Sequence, residues 1–105
     1  MSTNTIEWDL AFARDEVVVR LEKLLAQLGY AYTRSDTDDE TRFQATCSHR
    51  VLDIVVRPLT PHRSPFNLQV VLHRTLLVAT CTGLSAGEEE TLRRGLTLTF
   101  LRVGG

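Results

Sequence analysis

Charge of one sign is what this chain of 105 residues most clearly lacks: 12 Lys and Arg meet 13 Asp and Glu, and the net charge is −1. Without a surplus of cations the chain is a poor generic coat for nucleic acid, which needs many unpaired positive groups. Long hydrophobic runs are missing as well. None approaches the ~20 residues of a membrane span, so no membrane partner is expected. The start, Met1 to Ile6, is polar and lacks the basic-then-apolar pattern of a secretion signal. Cysteine is scarce: Cys47 and Cys81 stand far apart, with no Cys-x-x-Cys. A reduced, cytoplasmic protein is the expectation. No glycine-rich loop leads from a strand into a helix, which removes the usual phosphate cradle. No repeat, low-complexity tail or second domain shows, and the length fits a single domain over residues 1–105. A chain of this size buries roughly two-thirds of its unfolded surface and needs neither disulfide nor metal to fold.

What is present is patterned apolar sequence. Ile6, Leu10, Ala13, Val17, Leu21, Leu24 and Leu28 are spaced 4, 3, 4, 4, 3 and 4 apart. This is close to one helical turn per step and predicts a helix with one apolar face. Asn4 with Glu7 would form its capping box, and Gly29 its left-handed end. The run Val17-Val18-Val19 costs helix propensity. The alternative is therefore a helix that begins near Arg14 after an extended arm.

Beyond Gly29 the period drops to two. Tyr30 to Arg34 reads as a short strand, and Ser35 to Glu40 as an acidic turn. Phe43, Ala45 and Cys47 alternate with polar residues, as do Leu52, Ile54 and Val56 with Asp53 and Val55. A connection over Ser48 to Val51 would pair Cys47 with Leu52, Ala45 with Ile54 and Phe43 with Val56. All three prolines fall within Arg57 to Pro65. A second hairpin is expected from Phe66 to His73 and Leu76 to Thr82, with Leu72 opposite Leu77. The last segment alternates like a strand at Leu96 to Phe100. It also repeats like a helix at Leu92, Leu96, Phe100 and Val103. Ser85 followed by Glu88 is a capping-box signature, and the helix is the preferred reading.

The expected fold class is α+β: an antiparallel sheet of about five strands with N-terminal and C-terminal helices on one face, in the order α-β-β-β-β-β-α. That order of elements resembles the small type III secretion chaperone and YbjN-like proteins. These have an N-terminal helix, a three-strand meander, a connection, a hairpin and a C-terminal helix. The likeness is one of topology across nearly the whole chain, and no residue motif carries it. The helix that those proteins place between their strand groups has no counterpart here, because Pro58, Pro61 and Pro65 oppose one. The resemblance implies a homodimer that binds an extended peptide and catalyses nothing.

Each candidate chemistry has a plainer competitor. Cys47, His49, His62, His73 and Cys81 could suggest zinc. In the expected register, however, His73 and Cys81 lie roughly 16 Å apart, too far for one ion. No metal and no cofactor is expected. A catalytic Cys47 or Cys81 would need exposure beside a base, whereas the pattern buries both as small hydrophobes. Asp36, Asp38, Asp39 and Glu40 fail the calcium-loop pattern, because Thr41 and Cys47 stand where Gly and Glu are required. Arg57, His62 and Arg63 could meet nucleic acid, without sure aromatic partners for base stacking. Pro58 to Arg63 matches a short P-x-x-P-x-R peptide, better explained as a stiff connector. The terminal Gly104-Gly105 invites comparison with conjugated tails, but also reads as a helix terminator.

The surplus of apolar side chains carries most weight. Trp8 and Phe12, four apart, would form an aromatic row beside the main helical stripe. Val51, Val55, Val71, Leu76 and Val78 would point away from the sheet's core set. Such surplus marks an association surface. The sequence therefore predicts a small non-catalytic protein-binding domain acting through these residues, as an adaptor, chaperone or sequestering protein and as a homodimer. The alternatives are a nucleic-acid-binding regulator using Arg57 to Arg63, or a small enzyme or metal protein using Cys47 and His49.

Overall fold

Ile6 and Leu10 lie four apart, a spacing that one helical turn and four residues of strand both satisfy. The computed structural model, which describes residues 3–59, 62–63 and 71–100, resolves this in favour of the strand. Strand β1 spans Thr3–Leu10 and helix α1 spans Arg14–Gln27. The expected helix from Ile6 is thus corrected to one starting at Arg14, and the segment before it is paired. Ile6 and Leu10 are still buried, with Trp8 between them half-buried on the same side. Thr5, Glu7 and Asp9 alternate outward. Asn4 does not cap a helix; its Nδ2 donates to Glu89 Oε2 at 2.7 Å. Val17 and Val18 are buried within α1, so packing outweighs their propensity cost. At its end Gly29 takes φ +83°, and the amides of Gly29 and Tyr30 return to the carbonyls of Ala26 and Leu25. This is the glycine-closed helix end that the sequence predicts.

The strands that follow are β2 (Ala31–Asp36), β3 (Thr41–Cys47), β4 (Arg50–Pro58) and, after the short β5 (His62–Arg63) and β6 (Val71–Leu72), β7 (Thr75–Thr82). Helix α2 (Ala86–Phe100) ends the described chain. The main sheet has five antiparallel strands in the order β1-β7-β4-β3-β2. The fold is α+β, as expected, with one change of membership: β1 takes the place foreseen for a strand at Phe66 to His73. Of that segment, residues 64–70 lie outside the described residues, and Val71–Leu72 pairs with His62–Arg63 in a separate two-stranded ribbon. Leu77 consequently faces Val56 and Trp8 rather than Leu72. Pro58 ends β4 opposite Thr75, so β4 and β7 form one long antiparallel pair rather than two halves bridged by a crossover.

The β3–β4 turn is tighter than expected. Ser48 and His49 alone connect the strands, with Ser48 at φ +54°, and Cys47 pairs with Arg50. Ala45 then faces Leu52, and Phe43 faces Ile54. The register has moved by two residues, and a two-residue move leaves every side chain on its own face. Gly83, just past β7, packs under this turn at φ +79°; a Cβ there would come within 2.4 Å of the His49 carbonyl oxygen.

One core fills the space between the sheet and the two helices. Phe43, Leu52, Ile54, Val56, Leu77 and Ala79 come from the sheet; Leu21 and Leu25 come from α1; Leu92, Leu96 and Phe100 come from α2. The Ser85–Glu88 capping box is formed in both directions, at 2.9 Å and 3.2 Å. The preferred helical reading of the last segment therefore holds through Phe100; Val103 and Gly104-Gly105 lie outside the described residues. Gly95 faces Leu24 so closely that a Cβ would sit 2.9 Å from its Cδ1, which explains a glycine in mid-helix. Thr75, fully buried, donates its hydroxyl to the Phe12 carbonyl at 2.6 Å and ties β7 to the β1–α1 junction.

Candidate functional site

Both helices pack on one face of the sheet, and the alternate side chains on its other face have no layer over them among the described residues. Because directly paired residues share a face, the strand registers order that open face into rows. One row runs Asp9, Leu76, Arg57 across β1, β7 and β4. The next runs Glu7, Val78, Val55, Arg42 across β1, β7, β4 and β3. The third is Thr5, Thr80, Asp53, Gln44, and the fourth is Thr3, Thr82, Val51, Thr46. In the first two rows carboxylates stand on one side, aliphatic side chains in the middle and arginines on the other side. Val55, Arg57, Leu76 and Val78 line a shallow depression of about 180 Å³.

The charged margins are partly neutralised within the subunit. Asp9 pairs with Arg74 on the acidic side. Arg42 and Arg57 both bond Glu40, at 3.1 and 3.2 Å, on the basic side. The two guanidiniums hold the Glu40 carboxyl below its usual range, Arg42 contributing more than Arg57. Glu7 has no ion-pair partner among the described residues. Counting these groups leaves the acidic margin at −1 (Glu7, Asp9, Arg74) and the basic margin at +1 (Arg42, Arg57, Glu40).

The residues expected to bind a partner separate into groups. Val55, Leu76 and Val78 adjoin on the open face; Val51, 42% exposed, is on the same face but is separated from them by the row of Asp53 and Thr80. Val71 belongs to β6 and does not join that sheet. Trp8 and Phe12 do not form a helical row, because neither lies in α1. Phe12 is buried at 5% exposure, edge-on to Phe100 with ring centroids 5.7 Å apart, and belongs to the core. Trp8 sits half-buried on the core side of the edge strand, beside Leu10, Thr97 and Phe100. Sequence reasoning missed two exposed apolar side chains on the helical layer. Val19 (51% exposed) and Leu98 (68% exposed) flank a groove between α1 and α2. It also missed the charged margins. Their signal lies in the strand alternation at Glu7, Asp9, Arg42 and Arg57, once the strands are placed side by side.

The remaining candidates are placed as follows. Arg57 is committed to Glu40, while His62 and Arg63 are described only as strand backbone. The acidic turn is crossed by cations: Arg14 donates to the carbonyls of Thr37 and Asp38, and Arg34 to the Asp36 carboxylate. Cys47, half-buried, accepts from Arg50 Nη2 at 3.1 Å, a donor rather than a base. Arg50 also pairs with Glu88 at 3.1 Å and lies over the Tyr30 ring. Burial pushes the Tyr30 hydroxyl and the Cys81 thiol above their usual pKa values. Among the described residues no three His, Cys, Asp or Glu side chains gather closely enough to hold a metal ion. No helix among them is long and apolar enough to cross a membrane.

The chain matches no known protein-family model and no curated protein.

Proposed function

We propose that this is a cytoplasmic, non-catalytic protein-binding domain whose binding surface is the open face of the five-stranded sheet. The observation that carries the reading is the aliphatic strip of Val55, Leu76 and Val78 on a sheet face without a covering layer among the described residues, with Val51 exposed on the same face beyond a polar row. An antiparallel sheet with one solvated face ordinarily presents polar side chains there. Here four of the eight outward positions on β4 and β7 are aliphatic (Val51, Val55, Leu76 and Val78), and burying them against a protein removes apolar area from water. Self-association is the simplest form of such burial.

A photo-crosslinking residue placed at Val78, with Val55→Asp as the control, tests the proposal. Crosslinks that form from position 78 and vanish with Val55→Asp, while far-ultraviolet circular dichroism stays unchanged, are expected. The proposal fails if position 78 crosslinks to nothing in cells and the wild-type chain sediments at its 11.8 kDa monomer mass at every concentration.

A further inference from the structure

We infer that the occupant of the open sheet face is a second copy of this chain, packed face to face about a two-fold axis that runs parallel to the strands between β4 and β7. This rests on the reading of that face as a binding surface and adds its partner and geometry. Two sheets packed face to face place their two-fold axis in the plane between them, which leaves two simple choices. An axis across the strands sets β1 over β1 and β3 over β3, so Glu7 meets Glu7 and Arg42 meets Arg42. An axis along the strands exchanges left for right and keeps each row over itself. Val78 of one copy then lies over Val55 of the other, and Glu7 over Arg42. The net −1 margin of each copy covers the net +1 margin of its partner. Like charges juxtaposed in an interface are costly and opposite ones fix register, so the second axis is the one this surface selects.

The position of the axis follows from the apolar strip. Val55 and Val78 are direct cross-strand neighbours, and the axis passes between them. β7 then covers β4, and β1 covers β3. Arg57 comes over Leu76, where its aliphatic stem packs and its guanidinium reaches toward Asp9 of the other copy. Four strands at ~4.8 Å and eight residues at ~3.3 Å outline about 500 Å² per copy, or about 1,000 Å² in all. That is the lower bound for a specific interface, so the dimer should be concentration-dependent rather than obligate.

The test is a charge swap, made at exposed positions so that the fold is left standing. Glu7→Arg alone places arginine against arginine, and Arg42→Glu alone places glutamate against glutamate. Each should weaken dimerisation by at least about tenfold in sedimentation velocity. Mixing the two variants should restore dimers, because positions 7 and 42 are then both basic in one copy and both acidic in the other. The double variant in one chain should also dimerise. The inference is overturned if the single reversals leave a wild-type dimer untouched, or if both weaken it and neither the mixture nor the double variant recovers. It is also overturned if the wild-type chain is monomeric while position 78 crosslinks to a different protein. That last result would leave the binding face standing and remove only the self-pairing.

Discussion

On the helix-covered side of β4, Leu52, Ile54 and Val56 are at most 1% exposed, whereas on the other side Val51 is 42% exposed and Val55 half-buried. Four of these five side chains are β-branched and the fifth is leucine, so these five do not by themselves tell the faces apart, although the open side also carries Asp53 and Arg57. What separates the faces is the layer above. The covered side gains α1 and α2, whose apolar stripes meet the sheet with Gly95 allowing close approach at Leu24. The open side is ordered only by strand register, into an apolar strip with an acidic and a basic border. One face is finished by folding; the other keeps an aliphatic strip with no layer over it among the described residues.

The largest difference should appear between truncations on the two faces. Phe43→Ala, at a fully buried site edge-on to Tyr32, should cost about 3–5 kcal/mol in urea unfolding. Val78→Ala should cost under about 1 kcal/mol in the monomer, since that side chain already meets solvent. Equal losses at both sites would break the contrast. Next comes Gly83→Ala, which forces a side chain into a left-handed backbone and against the His49 carbonyl. A loss of the order of 2 kcal/mol is expected from unfolding midpoints at unchanged m-value.

Ser85→Ala removes half of the α2 capping box and should cost about 1 kcal/mol. The Glu88 carboxyl is held below its usual range first by the Ser85 amide and then by the Ser85 hydroxyl, beyond the opposing effect of burial. A carboxyl titration followed by NMR should show its pKa rising in that variant. The smallest effect is acid sensitivity. Asp36, Glu40 and Glu88 all have folded-state values lowered by their donors. Their stabilisation is complete above the ordinary carboxylate range and is lost as pH falls through the lower folded values. The urea midpoint should therefore hold through neutral pH and decline below about pH 4. Glu40→Gln should flatten part of that decline, and an unchanged profile would show that the Arg42–Glu40–Arg57 cluster contributes nothing.

Facing direction is highly legible from residue order. Phe43, Ala45, Leu52, Ile54, Leu77, Ala79 and Cys81 are all buried where alternation places them, although the strand partners differ from those expected. The β3–β4 register differs by two because Ser48 accepts a positive φ that its residue type does not advertise. Trp8 and Phe12 suggest a helical row because a spacing of four suits both periods at once. The charged margins are hidden because Glu7 and Arg42 are far apart in the chain and share a row only through β7 and β4.

By itself the order of residues determined the inward and outward faces of the central strands, the glycine-closed end of α1 and the capping box of α2. Each depends on chemistry within a few residues. Only the tertiary structure decided that Thr3–Leu10 is a strand, that β7 lies between it and β4, and which charges border the open face. Those outcomes rest on backbone hydrogen bonds between segments about 70 residues apart, Ile6 to Ala79 for one, and no local period encodes such a partner.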